Sequence, residues 1–153
     1  MKILIILMFL FPSFLIGQKK NSWAYELEFI SESSESSYII KVWTYSKKPK
    51  LNIEKTKKSA IHGVIFRGVK NHPPLTNDIS IENKKSDFFR MFFENGGMYS
   101  KYIISTGKSS IGMGDIIKTD KGYKIGFIVQ INHRQLRQDL EIQGIIKGLN
   151  NGF

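Results

Sequence analysis

Apolar and polar residues alternate between Trp23 and Phe29, the first part of the chain with a clear period. Its odd-numbered positions are apolar, and Glu26 and Glu28 stand between them. A period of two predicts a strand with one buried face. Tyr38 to Tyr45 is apolar on both faces and predicts a second strand, which lies centrally in a sheet or is shielded by aromatic rings. The serine-rich residues 31–37 between them are expected to form a hairpin loop.

A helical period follows between Pro49 and Gly68. Its apolar residues recur at steps of three and four, whereas Glu54 and several lysines occupy the opposite side. This pattern predicts an amphipathic helix with Pro49 in its first turn and Gly68 at its end. Gly63 in a helix costs about 1 kcal/mol relative to alanine, so we expect it to mark close packing against a sheet. The predicted apolar stripe comprises Ile53, Ala60, Ile61, Val64 and Ile65.

The stretch SAIHGVIFRGVKNHPP, residues 59–74, holds two of the chain's three histidines. It could be a site, or it could be a core helix followed by its exit loop. We interpret it as the core helix, because the apolar stripe needs a sheet to cover it. Ile61 and Val64 are expected to face the aromatic sides of the strands around Trp43 and Phe127. His62 and His72 are then expected to be structural or solvated.

The second half of the chain predicts a short helix and three further strands. The helix corresponds to NKKSDFFRMFFENGG, which has a wide aromatic face and ends at a glycine pair. The strands are expected at 98–106, 111–118 and 123–131, with the tight turn TDKG before the last of them. The aromatic face of the helix comprises Phe88, Phe89, Phe92 and Phe93.

The last predicted helix begins at Asn132, a good N-cap, and ends at Gly144. Leu136 and Leu140 form its apolar stripe, with Ile142 beside them. The order of elements is thus ββ-αα-βββ-α. It predicts an α+β domain, in which an antiparallel sheet of about five strands has two or three helices packed on one face.

The N-terminus has the plan of a secretory signal peptide. Lys2 precedes an apolar run from Ile3 to Ile16, which ends at Gly17-Gln18 before the chain turns polar. The run is shorter than the roughly 20 residues that a membrane-spanning helix needs. We therefore expect cleavage of residues 1–17, which leaves a single domain, 18–153, in the periplasm or outside the cell. The alternatives are an uncleaved membrane anchor and a buried helix.

The chain has no cysteine and is basic, with 23 lysines and arginines against 13 acidic residues and a formal charge of +10. Its lysines concentrate around the first helix, where Trp43 and Tyr45 precede them. A basic patch beside aromatic rings can bind anionic sugars or nucleic acid. The alternative is the solvated face of a helix. The candidate anionic-ligand patch comprises Lys47, Lys48, Lys50, Lys55, Lys57 and Lys58.

Patterns that are typical of catalysis or of metal binding are weak in this chain. The three histidines lack the HxH and HxxxH spacings of metal ligands, and no GxSxG motif is present. The stretch 106–114, TGKSSIGMG, imitates part of a phosphate-binding loop, but Tyr102 stands where its first glycine belongs. We expect no catalytic residue, no metal and no cofactor. Scattered carboxylates leave open a small secreted hydrolase whose cleft is not visible in the sequence.

Four blocks carry a resemblance to a protein family. KVWTYSKKP, AIHGVIFRG, DFFRMFFENGG and GIIKGLNNGF, with the signal end FLIGQ, resemble those of small exported proteins of the Bacteroidota that have no assigned activity. The resemblance spans residues 41–153 and implies no site residue. A fainter similarity over residues 43–68, to envelope domains of flagellar accessory lipoproteins, implies binding or assembly. This chain lacks the lipid-bearing cysteine of those proteins.

These patterns predict an exported protein of the bacterial envelope that acts by binding or assembly rather than by catalysis. The expected partner is another envelope protein, or an anionic polysaccharide or lipid bound through the lysine-rich helix. In the envelope such counter-charges are more accessible than DNA, so we do not expect nucleic acid as a partner. No transmembrane segment is expected after signal cleavage.

Overall fold

The computed structural model describes residues 23–106 and 115–148 of the chain. Five strands form one antiparallel sheet and helices pack on one of its faces, which confirms the predicted α+β class. The strands are β1 (Tyr25–Ser34), β2 (Ser37–Ser46), β3 (Ile103–Thr106), β4 (Ile116–Thr119) and β5 (Gly122–Asn132). The helices are α1 (Ile53–Phe66), α2 (Ile81–Lys84), α3 (Ser86–Phe92) and α4 (His133–Ile142), and Met98–Tyr102 forms a 3-10 helix.

The sheet has the order β1-β2-β5-β3, and β4 also pairs with β5. Because β2 occupies one edge of β5 along its length, β3 and β4 share the other edge, one at each end of β5. The β1–β2 hairpin is tighter than predicted, since both strands continue through the serines until Ser34 pairs with Ser37. The predicted turn before β5 is confirmed.

One face of the sheet carries the buried core and the other is partly open. Ile40, Val42 and Val129 have no exposed surface and pack with Ile61 and Val64 of α1 in the core. Successive side chains of a strand point to opposite faces. Trp43 therefore lies on the face away from α1. Ile61 and Val64 face β2 and β5 as expected, but not the side of β2 that carries Trp43. Phe127 does belong to their cluster.

Helix α1 begins later than predicted. Asn52 caps it, because its side-chain oxygen accepts a hydrogen bond of 3.0 Å from the backbone nitrogen of Lys55, so Pro49 lies in the preceding loop. Gly68 has a φ of +68° and ends the helix as predicted. Ile53 is 48% exposed and lines a surface groove instead of the core. The remainder of the predicted stripe is buried, namely Ala60, Ile61, Val64 and Ile65.

Two further predictions need correction between α1 and β3. The predicted second helix is two helices, because the backbone leaves helical geometry at Lys85. Residues 98–102 form a 3-10 helix rather than a strand. Tyr99 and Tyr102 are three residues apart, a spacing that aligns side chains in a 3-10 helix, and both are fully buried. The predicted aromatic face is confirmed, with Phe89, Phe92 and Phe93 buried and Phe88 half-buried.

The end of the described chain follows the prediction in part. Asn132 caps α4 by accepting a hydrogen bond of 3.0 Å from the backbone of Gln135, and Leu136 and Leu140 are fully buried. Ile142 is 83% exposed and takes no part in the stripe. The strand predicted at 111–118 is β4 from Ile116 onward. Asp115 precedes that strand, and residues 111–114 lie outside the described part. The predicted signal peptide, 1–17, lies outside it as well.

Candidate functional site

A surface groove lies where β2 ends and α1 begins. Its volume is about 610 Å³. Three members of the predicted lysine patch, Lys47, Lys48 and Lys50, contribute to its wall. The complete lining is Ser46, Lys47, Lys48, Lys50, Leu51, Asn52, Ile53 and Glu54.

Local hydrogen bonds hold the lysine-bearing loop of the groove. The backbone nitrogen of Lys48 donates to the hydroxyl of Ser46 over 3.3 Å, and that of Lys50 donates to the carbonyl of Lys48 over 2.7 Å. Pro49 between them has a fixed φ and no donor to satisfy. The Asn52 cap anchors the far end of the loop. The loop is thus fixed at both ends, and its lysines are presented at one place.

The electrostatics of the groove are positive. Within the described residues no carboxylate lies at ion-pair distance from Lys47, Lys48 or Lys50. Glu54, the acidic residue of the lining, accepts a hydrogen bond from the Tyr99 hydroxyl. That bond, with Lys57 at 3.4 Å, lowers the pKa of the Glu54 carboxyl. The first turn of α1 adds its own partial positive charge.

The other half of the predicted patch lies outside the groove wall. Lys55 is exposed on α1, and Lys57 is paired with Glu54. Lys58 donates to the side-chain oxygen of Asn95 over 2.6 Å, and its nitrogen lies 5.7 Å from the centre of the Tyr99 ring. The structure therefore separates Lys47, Lys48 and Lys50 from Lys57 and Lys58, although all five belong to one sequence cluster.

A second, smaller pocket of about 280 Å³ adjoins the groove. It shares Ser46 and Lys47 with the groove and adds Lys121 from the β4–β5 turn. The sequence pattern does not indicate Lys121, because this residue lies far along the chain and only the pairing of β2 with β5 brings it here. The complete lining is Tyr45, Ser46, Lys47, Thr119, Lys121 and Tyr123.

His62 belongs to a buried hydrogen-bonded chain. Its Nε2 lies 3.4 Å from a carboxylate oxygen of Glu82, and its Nδ1 lies 2.6 Å from the hydroxyl of Tyr25. A carboxylate only accepts, so Nε2 carries the proton and Nδ1 accepts from Tyr25. Trp23 covers the imidazole with ring centres 4.0 Å apart and donates to Glu82 over 2.9 Å.

The chain from Tyr25 through His62 to Glu82 has the order of an activated nucleophile, but its setting is structural. Tyr25 is 4% exposed, and burial raises the pKa of its hydroxyl, which disfavours the nucleophilic phenolate. None of Tyr25, His62 and Glu82 lines the groove or the second pocket. The network ties β1, α1 and α2 together, in keeping with the predicted structural role of His62.

The other two histidines meet at Tyr38, although the sequence places them far apart. The ring centres of His72 and His133 lie 4.8 and 4.7 Å from that of Tyr38 and 6.1 Å from each other. Nε2 of His72 lies 3.5 Å from a Glu32 carboxylate oxygen. In the part of the chain that the structure describes, no group of three or more histidines and carboxylates is arranged to hold a metal ion.

No helix within residues 23–106 and 115–148 has both the length and the apolar character that crossing a bilayer requires.

The resemblance to exported proteins of the Bacteroidota stays a prediction. Comparison of the chain with protein-family models, with curated proteins and with solved structures found no match.

Proposed function

We propose that the chain is an exported protein of the bacterial envelope that acts by binding, and that it holds an anionic ligand in the groove between β2 and α1. The observation that carries this proposal is the set of three groove lysines, Lys47, Lys48 and Lys50, for which the described residues provide no carboxylate partner. Like charges held close together repel, and a bound anion relieves that repulsion. Export rests on the N-terminal pattern from Lys2 to Gln18.

The chemistry of the groove favours binding over hydrolysis. A glycosidase uses two carboxyl groups, one of which has a raised pKa so that it can donate a proton. The groove lining contains one carboxyl group, that of Glu54, and its pKa is lowered by the hydrogen bond from Tyr99. Glu54 therefore stays ionised and anchored. No observation at the groove favours the small hydrolase that the sequence left open.

The size of the groove fits part of a ligand. Small-molecule sites have volumes of roughly 300–1,000 Å³, and the groove falls in that range with about 610 Å³. Its continuation into the second pocket through Lys47 provides room for a ligand with several units. An extended anion would contact Lys121 in addition to the groove lysines.

Titration calorimetry with poly-L-glutamate at increasing NaCl concentrations tests this function. The variant Lys47→Ala/Lys48→Ala/Lys50→Ala should bind at least about tenfold more weakly, since each charge-assisted hydrogen bond contributes on the order of 1.5–3 kcal/mol. The matched control Lys70→Ala/Lys85→Ala/Lys147→Ala removes three exposed lysines elsewhere and should retain binding. Equal weakening in both variants, or absence of binding by the unchanged protein, would overturn the proposal.

A further inference from the structure

The face of the sheet opposite α1 carries an aromatic platform, which we define as Trp43 and Tyr45 of β2. Trp43 lies across from Gly126 of β5. A Cβ atom at Gly126 would lie 2.9 Å from Cζ3 of Trp43, so the indole lies against β5 where a larger residue would have to displace it. The indole nitrogen donates to Glu28 over 3.0 Å. The orientation of the ring is thus fixed before any ligand arrives.

The polar groups around the platform carry both signs of charge. The side-chain nitrogens of Lys41 and Lys124 stand over the Trp43 ring, 5.4 and 5.2 Å from its centre. Lys41 is paired with Asp115 over 2.8 Å, and Lys124 is paired with Glu26 over 2.7 Å. The platform therefore offers donors and acceptors side by side. The groove differs in its charge, because its lining has three lysines and one carboxylate.

The groove and the platform are connected. Tyr45 belongs to the platform and also lines the second pocket, which shares Lys47 with the groove. Side chains two residues apart on one strand face are separated by about 7 Å. The Tyr45 and Trp43 rings therefore follow each other along β2 at about that spacing. A chain-like ligand that leaves the groove at Lys47 passes Tyr45 and reaches Trp43.

We propose that the ligand is an acidic glycan in which charged and uncharged sugars are mixed. This proposal rests on the function proposed above and names the ligand class of that site. The charged sugars contact Lys47, Lys48, Lys50 and Lys121, and uncharged sugars stack on the aromatic platform. The C–H face of a sugar ring is apolar and packs on an aromatic ring. Its hydroxyls both donate and accept, and so they match the lysines and carboxylates around Trp43.

The carboxylates beside the platform discriminate against other polyanions. Glu26 and Glu28 are exposed at its border, and the pKa of Glu26 is lowered by its hydrogen bond with Lys124, so it is ionised at neutral pH. A single-stranded nucleic acid carries a charge on every unit and would place phosphates near these carboxylates. A glycan with uncharged units places hydroxyls there instead.

The test compares a hyaluronan octasaccharide, which alternates glucuronate with N-acetylglucosamine, with poly-L-glutamate as a charge-only probe. Trp43→Ala and Tyr45→Ala should each weaken hyaluronan binding at least about fivefold, as expected for the loss of one stacking contact. Binding of poly-L-glutamate should change less than about twofold, since the groove lysines are retained. Met91→Ala, which truncates a side chain that is 57% exposed on α3, is the matched control and should change neither.

The outcomes separate this inference from the proposed function. Binding of hyaluronan that depends on the groove lysines but survives Tyr45→Ala would overturn the glycan and leave the anion groove intact. Tighter binding of a single-stranded DNA octamer, or of phosphatidylglycerol vesicles, than of hyaluronan would also overturn the proposal that the ligand is a glycan. Loss of lysine dependence for every probe would overturn the proposed function itself. Tyr45 is 45% exposed, so its variant keeps the test decisive even if Trp43→Ala fails to fold.

Discussion

His62 connects three segments of the chain through one imidazole. It accepts from Tyr25 of β1 and donates to Glu82 of α2, while Trp23 stacks on its ring. Burial lowers the pKa of the imidazole below its ordinary value, because the charged form loses hydration; Arg67 adds to this effect and Glu82 opposes it. Both ring nitrogens are satisfied only when His62 is neutral, since the protonated ring can no longer accept from Tyr25.

We expect the free energy of unfolding to fall as the pH drops below about 6.5, the ordinary histidine pKa. In the folded chain the pKa of His62 lies below that value, so the unfolded chain binds more protons in this interval. Stability therefore rises with pH across the interval and is fully present above it. Urea unfolding between pH 8 and pH 5 should show this dependence.

The variant His62→Gln should flatten this pH dependence. Glutamine does not titrate, and its amide can still donate and accept a hydrogen bond. His133 also has a lowered pKa, owing to burial and then to the charges of His72 and Arg134, so His133→Gln should remove a separate part of the slope. If His62→Gln retained the full slope of the unchanged protein, the network would not be the source of the pH dependence.

At the scale of elements, α1 approaches β1 more closely than a side chain at position 63 would allow. A Cβ atom on Gly63 would lie 2.3 Å from Cδ1 of Leu27 and 3.1 Å from Cε2 of Tyr25. Arg67, one turn further along, donates to the backbone carbonyls of Tyr25 and Trp23 over 2.9 and 3.0 Å. The last turns of α1 thus fix the start of β1 and occupy backbone acceptors along its edge.

A double-mutant cycle tests this contact. Gly63→Ala should lower the free energy of unfolding by roughly 1–3 kcal/mol, because the added methyl group overpacks the contact with Leu27. In a Leu27→Ala background the same change should be neutral or stabilising by up to about 1 kcal/mol, the helix-propensity advantage of alanine over glycine. Chemical denaturation of the four proteins gives the coupling energy. Equal effects of Gly63→Ala in both backgrounds would show that the helix and the strand are not in contact there.

Periodicity predicted the elements whose environment is uniform along their length. The alternation in β5 and the apolar steps in α1 each reflect one continuous buried face, which sequence displays directly. The segment 98–102 differs from its predicted strand because its two buried tyrosines are held by distant partners: Tyr99 by Glu54, and Tyr102 by Asp139 over 2.9 Å. A local pattern does not contain such pairings.

The members of the candidate site were predictable only where they are neighbours in the sequence. Lys47, Lys48 and Lys50 are neighbours in sequence and stay together in the groove. Lys121 reaches them only through the pairing of Ser46 with Tyr123, and Lys57 leaves the group because it pairs with Glu54. Strand pairing and ion pairing depend on the tertiary structure. The density of lysines in the sequence therefore locates the patch but does not predict which lysines belong to it.

At the scale of the whole molecule, the groove, the second pocket and the platform follow one another around the end of β2. The charge is positive at the groove and mixed at the platform, although the formal charge of the chain is +10. With no cysteine in the chain, the core and the hydrogen-bonded networks must hold this surface in place without disulfides. A domain of this size has a net stability of roughly 5–15 kcal/mol from such terms.

A glycan-binding surface serves a protein only where glycans are accessible, so export is the property of the whole chain on which the proposal depends. Protein isolated from its native host should lack about the first 17 residues by intact-mass measurement. Leu7→Asp should block this processing, because a charge in the apolar run prevents insertion, and the unprocessed chain should stay in the cytoplasm. Lys20→Asp, outside the run, is the control and should leave cleavage intact. A full-length cytoplasmic product from the unchanged gene would contradict export and would remove the envelope glycan as the ligand.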